Sequence, residues 1–167
     1  MILANNFYNE IAATAMVTFE TAVTIKETKH TAQILSDNEH TLVIVFRGDV
    51  AKNKTKTVVA AKFEEYGDAN RFLTTLLQAA ARGDSIKPLT IRKTHRDREY
   101  YNTFPSVYEA TRHYGYTLQA GASWAHDRGC KKVNQHPTTA KALIAALDNA
   151  VHNTQGSCYN PDSYELV

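Results

Sequence analysis

Two amphipathic segments, Asp68–Gly83 and Thr138–Asn153, constrain the fold of this 167-residue chain more than any other feature. In the first, Phe72, Leu73, Leu76, Leu77 and Ala80 recur at helical intervals; in the second, Leu143, Ile144, Leu147 and Val151 do. Each stripe is what a helix needs to lie on a core. Laid end to end, the segments share Leu73/Leu143, Leu77/Leu147 and Ala80/Ala150. Asp68 and Thr138 are side chains that can accept a first-turn N–H, and Gly83 and Asn153 suit a left-handed stop.

Short strand-like runs precede both segments. Val17, Phe19, Val23 and Ile25 alternate with polar residues, as on a strand with one wet face. A run at Thr31–Leu35 meets the turn Ser36–Glu39. Thr41–Arg47 follows, apolar from Leu42 to Phe46, which fits a central strand covered on both faces. Gly48–Lys56 reads as a polar loop and Thr57–Glu65 as the next strand. In the second half, Leu89–Thr94 reads as a strand pushed to a sheet edge by Pro88. Thr94–Glu99 reads as a charged loop.

Ser106-Val-Tyr-Glu109 after Pro105 has the form of a capping box, with Gly115 placed to stop that helix. Tyr116–Ala125 then reads as a strand, Asp127–Gly129 as a turn and Cys130–Val133 as its return. A short opening helix is expected from Leu3, Phe7, Tyr8 and Ile11. The whole predicts an α+β fold: a mainly antiparallel sheet with two amphipathic helices packed on one face, in a single domain spanning residues 1–167. A weak strand-strand-helix pseudo-repeat would give halves at 13–83 and 87–153, followed by a flexible tail at 154–167. The shared Leu and Ala positions are also what core packing alone would select.

Composition narrows function mainly by exclusion. With 43% hydrophobic and 22% charged residues, the chain belongs with ordinary soluble domains. A net charge of +2 implies neither a strongly polyanion-bound protein nor a nucleic-acid mimic. The N-terminal stretch lacks the basic and apolar regions of a signal peptide, and no apolar run reaches membrane-spanning length. Cys130 and Cys158 therefore read as reduced thiols of a cytoplasmic protein.

Chemistry-bearing residues fall in several places. Arg71 and Lys141 occupy the same position in the two matched helices, near first-turn N–H groups, where a cation can help grip phosphate or another anion. Arg92, Lys93, His95, Arg96 and Arg98 precede Tyr100 and Tyr101; cations that hold phosphates beside rings that stack bases are the equipment of single-strand binders. Lys52, Lys54 and Lys56 could extend such a basic surface.

His126, Cys130, His136, His152 and Cys158 are zinc-type ligands without the paired spacing of a structural site. Gly121-Ala-Ser-Trp-Ala125 lacks the second glycine of a serine-hydrolase elbow. Arg47-Gly48-Asp49 spells an adhesion tripeptide but reads as a strand end followed by a turn. No metal or cofactor is implied.

The leading expectation is a small, non-catalytic cytoplasmic binding protein, of the kind that serves viruses as accessory or counter-defence factors. Its partner would be a host protein or a small anionic or nucleotide ligand, and it would be a homo-oligomer if a bare sheet edge needs cover. The alternatives are a nucleic-acid-binding module using the basic-aromatic stretch, and a small enzyme using His95, His126 or Cys130.

Overall fold

The computed structural model describes residues 14–49, 51–52, 54–124 and 129–167. The chain divides into two compact units, Met1–Pro88 and Leu89–Val167. The fold is α+β, and both of its sheets are antiparallel. The expected opening helix and the 126–128 segment lie outside the described residues.

Unit 1 is a four-stranded meander followed by a helix: β1 (Met16–Ile25), β2 (Thr28–Ser36), β3 (Thr41–Asp49), β4 (Lys54–Phe63) and α1 (Tyr66–Ala81). Strand order equals chain order. The alternating residues Val23, Ile34, Val43, Val45 and Val59 form one face, and α1 lays Phe72, Leu73 and Leu76 on it. Each large side chain so buried contributes about 1.5–3 kcal/mol. The other face carries a second buried cluster of Leu35, Leu42, Ile44, Phe46 and Ala60. With both faces buried, β3 has the continuous apolar run expected of it.

Helix α1 starts two residues before its expected cap. Glu65 is the N-cap and makes no side-chain capping bond, so Asp68 falls within the first turn. Gly83 does take the left-handed stop, with φ at 78°.

Unit 2 contains β5 (Leu89–His95), β6 (Arg98–Phe104), α2 (Val107–His113), α3 (Gly115–Ser123), α4 (Ala140–Gln155) and β7 (Ser163–Leu166). The sheet order is β6-β5-β7, so β5 is central rather than an edge. Pro88 sits just before the strand and removes none of its ladder bonds. The expected charged loop contracts to the two-residue turn Arg96–Asp97, with His95 paired to Arg98. Arg96 supplies the positive φ of 55°. The segment read as a loose tail instead provides β7, which pairs with β5 and buries Tyr164.

The region read as a strand at Tyr116–Ala125 is helix α3, and Gly115 opens that helix instead of ending α2. No strand forms at Cys130–Val133. The alternation there misleads because small residues serve packing: a Cβ on Gly121 would stand 2.4 Å from the Cβ of Ala150. This glycine lets α3 approach α4 closely. Ser106 caps α2 by accepting the Glu109 N–H at 3.2 Å, as its capping box predicts. Thr139, not Thr138, caps α4, and Asn153 lies inside that helix.

The matched helices α1 and α4 therefore do not share one sheet face; each belongs to its own unit and its own sheet. Among the described residues, no helix is long and apolar enough to cross a membrane.

Candidate functional site

At one end of the unit 1 sheet, two hairpins part from one another. The β2–β3 ladder ends at Thr31 and Phe46. Beyond that pair, β2 continues only with β1, to Thr28 opposite Ile25, and β3 continues only with β4, to Asp49 opposite Lys54. A cleft of about 560 Å³, open to solvent, lies between these hairpin ends and is lined by Thr28, Lys29, Arg47, Gly48, Lys54, Thr55 and Lys56.

Local sequence chemistry builds both walls. The β1–β2 turn consists of Lys26 and Glu27 with φ of 48° and 66°, the left-handed pair of a tight hairpin whose twist matches its strands. Just inside it, His30 is buried, and its Nδ1 lies 2.8 Å from the Thr28 carbonyl, so the ring holds the first residue of β2. On the other wall, a bulge between Val45 and Phe46 shifts the β3–β4 register. Bulges of this kind bend a strand and re-aim the side chains that follow. Gly48 then takes φ of 108°, and a Cβ there would lie 2.0 Å from the Lys54 carbonyl oxygen. Only glycine permits this approach.

The electrostatics are one-sided. Lys29, Arg47, Lys54 and Lys56 line the cleft, and among the described residues no carboxylate does. None of the four cations has a carboxylate partner among the described residues. Arg47 stands directly opposite Lys56 in the β3–β4 ladder. Like charges in such a cross-strand pair destabilise a sheet by roughly 0.2–1 kcal/mol. Asp49, the last residue of β3, stands opposite Lys54 in the ladder and accepts the Ala51 N–H at 2.9 Å. The lining suits an anion: three lysines, an arginine and two threonines form it, and no aromatic residue is among its described members.

The two cations expected at helix starts fall in different units. Arg71 lies in the second turn of α1, with its guanidinium 3.5 Å from Asp68 and three-quarters exposed. Lys141 lies in the first turn of α4, in the other unit, and is exposed. Relative to the alignment, α1 starts four residues earlier than α4, so the two cations stand at different turns.

The basic-aromatic stretch is divided between the faces of one hairpin. Register places Lys93 opposite Tyr100 and His95 opposite Arg98 on one face. Arg92 and Tyr101 oppose each other on the other face, where Arg92 pairs with Glu165 and the Tyr101 hydroxyl donates to Glu99 at 3.0 Å. Arg96 is in the turn.

Cys130 and Cys158 are free thiols. The His152 ring meets the Gly129 carbonyl, and the His136 N–H meets the Asn134 side chain. Among the described residues no group of three or more His, Cys, Asp and Glu could hold a metal ion.

Sequence reading missed the cleft because it took Gly48–Lys56 for a loop. The signal was present: Lys54 and Lys56 alternate with Thr55 and Thr57 and run straight into Val58–Ala61, a strand period that continues outward past the apolar core. No protein-family model, curated protein or solved structure matches the chain.

Proposed function

We propose that the protein is a binding protein for a small ligand carrying two or more phosphate groups, held in the cleft between the unit 1 hairpins. The observation that carries this reading is the Arg47–Lys56 pair, like charges set face to face with no carboxylate among the described cleft residues. A bound phosphate turns that mutual repulsion into shared attraction and satisfies donors of both side chains at once. Four cations suit more than one phosphate group. The absence of an aromatic ring from the described lining favours recognition through the phosphates rather than through a base.

Isothermal titration with pyrophosphate, a nucleoside triphosphate and inorganic phosphate tests the proposal. Pyrophosphate and the triphosphate should bind with similar affinity, and both more tightly than inorganic phosphate. Binding should weaken with added salt, since exposed charges are screened over about 10 Å at 0.1 M. Arg47→Ala and Lys56→Ala should each weaken it about tenfold or more, the value of a charged hydrogen bond. An absence of heat with all three ligands would refute the proposal.

A further inference from the structure

Unit 2 holds a second constellation. Asp162, immediately before β7, has a side chain only 9% exposed. Its Oδ1 lies 2.5 Å from His95 Nδ1. Its Oδ2 accepts the Gln155 amide at 3.1 Å, and its backbone N–H donates back to Gln155 Oε1 at 2.9 Å. Lys93 Nζ stands 3.8 Å away. The carboxylate is thus fixed by the last residue of α4 and in turn fixes the imidazole.

An ionised carboxylate can only accept, so Nδ1 is the ring's donor to Asp162, and Nε2 is the ring nitrogen that Asp162 leaves open. The His95 side chain is 48% exposed, and Nε2 makes no hydrogen bond among the described residues. A carboxylate on one ring nitrogen and an open, basic second nitrogen is the geometry of an oriented general base.

The surroundings indicate what such a base would act on. Arg98 lies opposite His95, Tyr100 lies opposite Lys93, and Arg96 forms the turn between the strands. Neither Arg96 nor Arg98 has an ion-pair partner among the described residues. Tyr100 is 45% exposed. Cations to hold phosphates beside a ring on which a base can stack describe a single-stranded nucleic acid. Among the described residues no serine or cysteine hydrogen-bonds to the pair, so the nucleophile is best supplied by the substrate; RNA carries one, its 2′-hydroxyl, beside every phosphodiester.

We propose that His95 is a catalytic general base, and Asp162 its positioning residue, in the cleavage of single-stranded RNA. His95 Nε2 removes the 2′-hydroxyl proton as the O2′–P bond forms. The P–O5′ bond breaks, the 5′ oxygen takes a proton from water, and the imidazolium returns its proton to the resulting hydroxide. The products are a 2′,3′-cyclic phosphate and a 5′-hydroxyl. Arg98 and Lys93 offset the charge gathering on the phosphoryl oxygens.

The test incubates the full chain with an end-labelled single-stranded RNA and with DNA of the same sequence, in chelator, with products resolved by mass. The expected result is RNA cut to cyclic-phosphate ends with DNA intact. His95→Ala, purified identically and melting near the parent, should lose about 10²–10⁴ in rate, the range for a general base. Asp162→Asn should lower kcat with KM held, a split that a merely structural role would not give. If RNA stays intact with the parent protein, is bound without being cut, or is cut equally by His95→Ala, the proposal is wrong. Should His95→Ala fail to fold, His95→Gln, which keeps a donor towards Asp162, must show the same loss.

Discussion

Reversing one charge of the Arg47–Lys56 pair should move stability and binding in opposite directions. Lys56→Glu replaces a like-charge cross-strand pair by an ion pair in the same register. Each such pair is worth roughly 0.2–1 kcal/mol, unfavourable before the change and favourable after it. Both side chains are exposed, and exposed pairs sit at the weak end of the scale, so the net gain should be about 0.5–1 kcal/mol. For a chain of this length that raises the melting temperature by about 1–4 °C.

The same substitution removes one of four cations from the cleft and adds a carboxylate. Pyrophosphate affinity should then fall by at least about thirtyfold, or 2 kcal/mol. Differential scanning calorimetry and isothermal titration on parent and variant measure the two effects. Repeating the melt in 1 M salt, where the screening length is about 3 Å, should erase most of the stability gain. The reasoning is refuted if affinity is unchanged, or if stability and affinity fall together, because the latter would mean that Lys56 supports the sheet rather than the ligand.

Further expectations bear on the scaffold. Gly48→Ala combines a left-handed backbone with a Cβ against the Lys54 carbonyl and should cost about 2–4 kcal/mol in chemical denaturation. Gly121→Ala should cost about 1–3 kcal/mol by forcing α3 off Ala150, and the double variant Gly121→Ala/Ala150→Gly should recover part of the loss. Ser106→Ala removes the buried cap of α2 and should cost about 1 kcal/mol.

Burial pushes the Asp162 carboxyl up, but hydrogen bonds from His95 and Gln155, with the Lys93 charge, together bring it below the usual carboxylate range. A depressed carboxylate contributes stability that is full above its unfolded value, near pH 4, and is lost as pH falls through the lower folded value. Asp162→Asn should therefore lower stability at neutral pH and flatten the decline below pH 4 in acid titration of the unfolding midpoint.

Much of unit 1 was legible because its signals are local. Alternation at Val17–Ile25 and the apolar run Leu42–Phe46 give the strands, and Gly83 marks the end of α1. The second unit was less legible because long-range partners decide it. Pro88 suggests an edge, yet the tail strand β7 pairs on the far side of β5 and makes it central. Polar alternation at Tyr116–Ser123 suggests a strand, but Leu118 and Gly121 meet α4 at helical spacing.

The same difference separates the sites. Arg71 and Lys141 matched by alignment alone, and a four-residue difference in helix starts puts them at different turns of their helices. The cleft cations come from three strands, so their convergence follows from where the β2–β3 ladder stops. Within the hairpin, the listing of Lys93, His95, Arg98 and Tyr100 as neighbours in sequence missed Asp162, which reaches His95 from 67 residues away.

The placement of β7 also orders the assembly of the protein. In unit 1 every strand pairs with its immediate successor, so each hairpin can zip as soon as its second strand exists, a low-contact-order route that favours speed. Unit 2 must close a loop before its sheet is complete, because Arg92 and Glu165, joined across β5 and β7, are 73 residues apart in sequence. During synthesis the first unit can therefore fold while the second still waits for its closing strand, and until then the unpaired edge of β5 is the surface most exposed to misassociation.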